Sequence, residues 1–220
     1  MRAGVRRTSR VAAAALALVL GGLAACTSGS GSAEEGDPWT VPLRPPGAPD
    51  IDYDSPELQQ ARAAAGIEAC GPGGRTDGDA VMPDLVLPCL GGGEAVDLST
   101  FEGPLLVNVW ASWCGPCRHE LPALQEFHEQ YGDEVTVIGV DFNETSPAEA
   151  IALLEETGAT FPQLIDIELE LGTREPFVPL RDLPRTVLVD ADGEVTALAQ
   201  SFDDLDDLLD AVAGPLGLER

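Results

Sequence analysis

Cys114-Gly115-Pro116-Cys117 is the cysteine pair in this chain whose spacing can do chemistry. It follows an apolar run, Leu105 to Ala111 (LLVNVWA), that reads as a buried central strand. It opens a helical stretch from Gly115 to Tyr131 that Gly132 closes. Cys114 therefore falls at a helix N-cap, where free backbone N–H groups and the positive end of the helix dipole favour a thiolate. Cys117 lies three residues on, on the same face and within reach of the first sulfur. Pro116 suits the first helical turn. The arrangement predicts a dithiol in which Cys114 attacks a substrate disulfide and Cys117 resolves the mixed disulfide. It also predicts that the first sulfur is exposed and the second buried.

Other chemistries fit the residues less well. A structural zinc site needs four ligands, usually from a second closely spaced pair, and Cys70 and Cys89 are too far apart to form one. A copper site built on two cysteines separated by three residues plus a distant histidine is a residue short here. The two histidines, His119 and His128, both lie on the helix that Cys114 opens, and His128 reads as a solvent-facing helix residue. No metal or other cofactor is expected.

The elements that must hold this pair come from a chain of 220 residues, enough for one domain plus an appendage. Hydrophobic residues make up 44%, so a core can form. The net charge is −26, with 38 acids, 12 arginines and no lysine. Such a surface excludes nucleic acid as a partner and excludes attachment to an anionic membrane through a basic patch. Gly (24) and Pro (18) are frequent, which predicts long irregular stretches. Five cysteines are too few for a disulfide scaffold, and the odd number asks which one stands apart.

The first residues answer that. Arg2, Arg6, Arg7 and Arg10 precede a 15-residue apolar stretch, Val11 to Ala25. As a helix this spans about 22 Å, short of a hydrocarbon core of about 30 Å. Residues 1–25 therefore read as a secretory signal peptide. Leu23-Ala24-Ala25-Cys26 resembles the lipobox of bacterial lipoproteins, in which the cysteine is acylated and becomes the mature N-terminus. Thr8-Ser9-Arg10 fits twin-arginine export poorly, which favours the general secretory route. The remaining cysteines then lie outside the cytosol, where disulfides persist.

Residues 27–37 (TSGSGSAEEGD) predict a flexible tether and Pro38 to Pro49 an extended proline-rich segment. Ser55-Pro56-Glu57 caps a helix that runs to Gly66, and Cys70 follows in a glycine-rich loop. Met82 to Leu90 and Glu94 to Leu98, joined by Gly91-Gly92-Gly93, read as a hairpin. After the central strand and its helix come a second buried strand (Val135 to Asp141), a helix from Ser146-Pro147 to Gly158 and a short strand or edge segment (Phe161 to Ile167). The strand Thr186 to Asp190 (TVLVD), its antiparallel return Glu194 to Ala199 and a final helix Asp203 to Ala213 complete the chain. Two parallel strands with a crossover helix, then an antiparallel hairpin, give a mixed sheet.

WCGPC after an apolar strand resembles the thioredoxin superfamily. The run from Asn108 through Trp110, Trp113, Cys114, Cys117, Arg118, His119, Glu120 and Leu121 to Pro122 is similar to its TlpA/ResA-like branch of membrane-tethered extracytoplasmic thiol–disulfide oxidoreductases. The likeness runs from about Ala80 to Leu218. It implies an α/β thioredoxin-like fold, a central mixed sheet flanked by helices with an N-terminal β-hairpin extension. With it goes a division into signal peptide (1–25), lipid-anchored tether with proline-rich segment and short helix (26–79), and thioredoxin-like domain (80–220).

The resemblance also assigns roles. Leu183-Pro184 takes the place of the family's cis-proline, which lies beside the cysteines and exposes backbone to an extended substrate. Trp113 belongs at the rim of that substrate site and Trp110 in the core. Glu120 matches the branch's acid that tunes thiol pKa values and shuttles protons. Asn108 stands where cytosolic thioredoxins carry a buried aspartate. Arg118 reads equally as a thiolate-stabilising or a solvated residue. Pro122 falls inside the helix and should kink it.

With Cys26 acylated and Cys114 paired to Cys117, Cys70 and Cys89 are the leftover pair. A structural bridge stapling the first helix to the hairpin is the favoured expectation, and a second redox pair the alternative. The implied activity is reduction or exchange of disulfides in exported proteins, by a monomer anchored at the extracytoplasmic face of the cell membrane through Cys26 and recharged by a membrane thiol–disulfide donor. Apocytochrome c is the familiar substrate of the branch. A disulfide-introducing oxidant and a copper-binding assembly factor are the alternatives.

Overall fold

The computed structural model describes residues 50–74 and 80–219. The signal segment, Cys26 and the tether lie outside the described residues. The elements are α1 (Pro56–Ala64), β1 (Val86–Leu87), β2 (Val96–Asp97), β3 (Leu105–Trp110), α2 (Gly115–Tyr131), β4 (Thr136–Phe142), α3 (Pro147–Thr157), β5 (Gln163–Asp166), β6 (Arg185–Val189), β7 (Val195–Leu198) and α4 (Leu205–Leu216).

The apolar run LLVNVW forms the central strand because every side chain on it is buried. The five-stranded sheet is ordered β5-β4-β3-β6-β7. β3, β4 and β5 are parallel, whereas β6 is antiparallel to β3 and β7 to β6. The carboxyl ends of β3, β4 and β5 and the start of β6 therefore share one end of the sheet. Helices α2 and α3 are the crossovers of two successive parallel pairs and pack against each other, and α4 packs on α2 and β6. This is the expected mixed sheet flanked by helices.

The anticipated hairpin is present but short: β1 and β2 pair antiparallel over two residues each. Pro83 and Pro88 bracket β1, and a proline contributes no N–H to a ladder. The chain then turns to the sheet edge. Cys89 bridges Leu164 of β5, the N–H of Leu90 donates to the carbonyl of Gln163, and that of Ile165 donates to the carbonyl of Pro88.

The region before the hairpin also packs on this body. Ser55 caps α1 by accepting from the N–H of Leu58, as its sequence predicts. Leu58 and Ile67 join the core, and α1 lies against α3. The Arg62 guanidinium reaches the carbonyls of Gly92 and Glu68, which ties α1 to the hairpin loop. His128 is half-buried and its Nε2 lies 2.8 Å from Glu68 Oε1, so it is not the solvent-facing residue its helix position suggested. The Glu68 segment folds back over α2 and covers it.

A Cys70–Cys89 disulfide closes this arrangement, with Cα atoms 5.9 Å apart and a sequence separation of 19. In the chain-entropy view a loop of that length contributes about 3 kcal/mol. The double variant Cys70→Ser/Cys89→Ser should therefore lose about that much stability, roughly 6–12 °C in Tm for a domain of this size. Calorimetry of the two proteins under identical redox conditions checks it.

Candidate active site

The N-terminus of α2 lies at the carboxyl end of β3. Cys114 is its N-cap, in an extended conformation (φ −83°, ψ 109°), and its sulfur accepts from the backbone N–H of Cys117 at 3.3 Å. The two cysteines are joined as a disulfide with Cα atoms 5.3 Å apart. Pro116 stands in the first turn, where its missing N–H costs nothing. Cys117 is fully buried.

One expectation is corrected. Cys114 is 1% exposed, so the disulfide presents no open first sulfur. Capping explains this: Sγ is turned inward, over the first turn of α2, toward the Cys117 N–H and the Cys117 sulfur. Gly115, exposed beside it, bounds the outer side of the pair.

Glu120 lies on the buried side of the same helix and is entirely out of solvent. Asn108 of β3 donates from Nδ2 to Glu120 Oε1 at 2.7 Å and also approaches Thr186 Oγ1 of β6 at 3.3 Å. Burial pushes the Glu120 carboxyl up to about 8. Hydrogen bonds from Asn108 and from the Phe202 backbone act in the opposite direction and are the smaller effects. Among the described residues, Glu120 Oε2 and Asn108 Oδ1 have no hydrogen-bond partner. A carboxyl poised near 8 is matched to a thiol, whose ordinary pKa is about 8.5.

The Leu183–Pro184 peptide is cis. Arg185 pairs with Val109 across β6 and β3, which sets Leu183-Pro184 next to the end of β3 and the strand–helix junction. The Leu183 side chain is buried, so what this segment can offer a partner is backbone. Trp113 is half-buried at the rim and donates from Nε1 to the carbonyl of Asn143 at 3.2 Å. Trp110 is in the core, bonded from Nε1 to Gln163 Oε1 at 2.9 Å. Gly139 makes room for that bond, since a Cβ there would fall 1.8 Å from Gln163 Oε1. The Arg118 side chain donates to the Ser112 carbonyl at 3.4 Å and lies 3.8 Å from Glu156. Pro122 stays within α2, exposed.

The structure thus brings together Cys114, Cys117, Glu120, Trp113, Leu183 and Pro184. Cys70 and Cys89 belong to the β5 edge instead. Two further buried acids, Asp141 at the end of β4 and Glu144 just beyond it, lie at this end of the sheet. Sequence reading passed over them, although an acid inside the apolar run VIGVDF was a visible signal. Among the described residues, no group of three or more His, Cys, Asp or Glu side chains is arranged to hold a metal ion.

A cysteine pair capping the helix after the central strand of a mixed sheet, with a cis-proline beside it, defines the thioredoxin-like class. The chain belongs to the Redoxin family, whose sequence profile matches residues 76–212. Among its relatives, the thioredoxin-like protein YneN of Bacillus subtilis is 39% identical over 87 residues, 38% of this chain and 51% of that protein. The thiol-disulfide oxidoreductase ResA of Geobacillus kaustophilus is 35% identical over 116 residues, 51% of this chain and 63% of that protein. Both matches span less than two thirds of the relative's length. Among solved structures, a secreted thiol-disulfide isomerase from Corynebacterium glutamicum superposes with a TM-score of 0.52 at 27% identity, covering 59% of this chain and 81% of that one.

The raised Glu120 pKa makes a stability prediction. The folded protein holds a proton on Glu120 up to about pH 8, while the unfolded chain releases it near the ordinary carboxyl value of 4.5. Stability is therefore fully retained below the lower value and falls as pH rises toward the upper one. Glu120→Gln removes that loss, so its advantage over wild type should grow between pH 5 and 8 to several kcal/mol, on the order of 4. Urea unfolding of the oxidised proteins across that range measures it.

Proposed function

We propose that this protein is a thiol–disulfide oxidoreductase that reduces or exchanges disulfides of exported proteins. The observation that carries the reading is the Cys114–Cys117 disulfide at the N-terminus of α2 with the buried Glu120 carboxyl on the same helix. In the reduced protein the Cys114 thiolate, stabilised by the helix N-terminus, attacks one sulfur of the substrate disulfide and displaces the other as a thiolate. Glu120, in its ionised form, takes the proton of Cys117 and becomes the buried carboxylic acid. The Cys117 thiolate then attacks the Cys114 sulfur of the mixed disulfide and releases the second substrate thiolate. The substrate gains two electrons and two protons, and the protein is left as the disulfide seen here. A membrane thiol–disulfide donor returns it to the dithiol. The Leu183-Pro184 backbone and the Trp113 rim hold the extended substrate segment meanwhile. The Cys70–Cys89 bridge is structural.

The reading places the protein at the extracytoplasmic face of the cell membrane, as a monomer held there by lipid on Cys26. Residues 1–25 are its signal peptide, 26–79 run from the anchor through α1 and Cys70, which pack on the body, and 80–220 form the thioredoxin-like domain. The apolar run that ends at Cys26 and the secreted structural relative support this. One acyl chain anchors weakly, so more than one is expected.

Cys117→Ser should accumulate mixed disulfides through Cys114 in cells, and their partners, identified by mass spectrometry, name the substrates, with apocytochrome c one candidate. Limited alkylation of the reduced wild type near neutral pH should label Cys114 before Cys117. Labelling in the reverse order would exchange the two roles. Cys26→Ala should release soluble protein or leave an uncleaved precursor, and a correctly processed variant that stays with the membrane would remove the lipid anchor from this reading.

A further inference from the structure

The buried acids behind the dithiol are not used by this chemistry. Asp141 is the penultimate residue of β4 and pairs with Trp110 in the parallel β3–β4 register, on the sheet face that carries Asn108 and meets α2. It is completely buried, and among the described residues no N–H or hydroxyl donates to either of its side-chain oxygens. A lone carboxylate there would be costly, so the site needs an explanation.

Glu144 supplies part of it. Its carboxylate is 1% exposed and accepts three backbone N–H bonds, from Ser112 at 3.0 Å, Thr145 at 2.7 Å and Ser146 at 2.8 Å. That donor set suits an anion. Glu144 lies close enough to Asp141 to act on it by charge and by hydrogen bonding. Two facing carboxylates cannot both ionise cheaply, but a proton on Asp141 gives it an O–H to donate to Glu144. Its unpartnered oxygens and the repulsion are then resolved by one proton.

What the pair holds is the segment that presents Cys114. The N–H of Ser112 donates to Glu144, its carbonyl accepts from Arg118, and the next residue, Trp113, donates to the carbonyl of Asn143. Asn143 has φ 58°, in the left-handed region, which turns the β4–α3 loop back toward this segment. Both backbone polar groups of Ser112 are thus bonded to charged side chains two residues before Cys114. The other ionisable groups nearby are engaged elsewhere. Glu120 bonds Asn108, Arg118 leans toward Glu156, and Asp166 caps the backbone of Glu170 and Leu171 from the opposite face of the sheet.

We propose that Asp141 is a positioning residue for the dithiol. By sharing one proton with Glu144 it keeps Glu144 as the anion that fastens Ser112, and with it the segment presenting Cys114, to the β4–α3 loop. The inference rests on reading Cys114 as the attacking thiol. Asp141→Leu removes the O–H donor, leaves Glu144 facing hydrocarbon and frees Ser112, whereas Asp141→Asn keeps a donor of similar shape.

The experiment uses the whole mature protein with aspartates labelled by 13C at Cγ, and assigns the Asp141 resonance by its loss in Asp141→Asn. That resonance should stay in the protonated position through neutral pH and should move toward ionisation by about one pH unit in Glu144→Gln, where the neighbouring charge is gone. In parallel, the rate of disulfide exchange and the pH profile of Cys114 alkylation are measured for Asp141→Leu and Asp141→Asn. Asp141→Leu should exchange about tenfold more slowly and shift the alkylation profile, and Asp141→Asn should restore most of both, which a purely structural role would not require. If Asp141→Leu does not fold, the labelled wild type and Glu144→Gln decide alone. An active wild type whose Asp141 titrates like an ordinary aspartate overturns the proposal, as does a folded Asp141→Leu with a normal rate and profile. An inactive wild type with a protonated Asp141 overturns the oxidoreductase reading instead.

Discussion

The site depends on where the first turn of α2 is held. Four N–H groups at a helix start have no partner within the helix, and here one of them is taken by the sulfur of Cys114. The same interaction that caps the helix therefore orients the reactive atom. It works only if the residue before the helix is extended and the strand feeding it is fixed. β3 meets the second need by being buried along its whole length and paired on both sides. A loose central strand would move the cap and the chemistry together.

Around this turn the fold concentrates carboxyl groups that it keeps from water. Glu120 is placed by the amide of Asn108, Glu144 by three backbone N–H groups, and Asp141 by the register that sets it beside Trp110. An ionised acid nearby raises the cost of a thiolate, while an acid that keeps its proton and the helix N-terminus do not repel it. The balance of these opposed effects sets how readily a thiolate forms at this helix start.

The opposite concern, holding a 220-residue chain of large acid excess together, is met away from the site. Arg62 ties α1 to the hairpin loop through backbone carbonyls, His128 meets Glu68, and the Cys70–Cys89 bridge fixes the same region to the edge of β5. His128 stands on α2 itself, and Gln163, whose backbone carbonyl accepts from Leu90, bonds Trp110 on the central strand through its side chain.

Local pattern alone was enough for the dithiol, the central strand, the capped helices and the mixed sheet, because each is written in neighbouring residues: an unbroken apolar run, a cap followed by proline, a glycine that ends a helix. Cys114 and Cys117 were legible for the same reason. Glu120 and Pro184 needed the likeness to a family, since their roles depend on residues far off in sequence, Asn108 for the one, 12 positions away, and the end of β3 for the other. Side-chain burial was decided by tertiary structure. The Cys114 sulfur turned inward because the cap drew it there, and His128 was covered by a segment sixty residues upstream. Asp141 and Glu144 stayed unread because a sequence shows that an acid sits in an apolar strand but not what faces it. Only the parallel register of β3 and β4 brings the two loops together, and that register is set by the packing of the whole sheet.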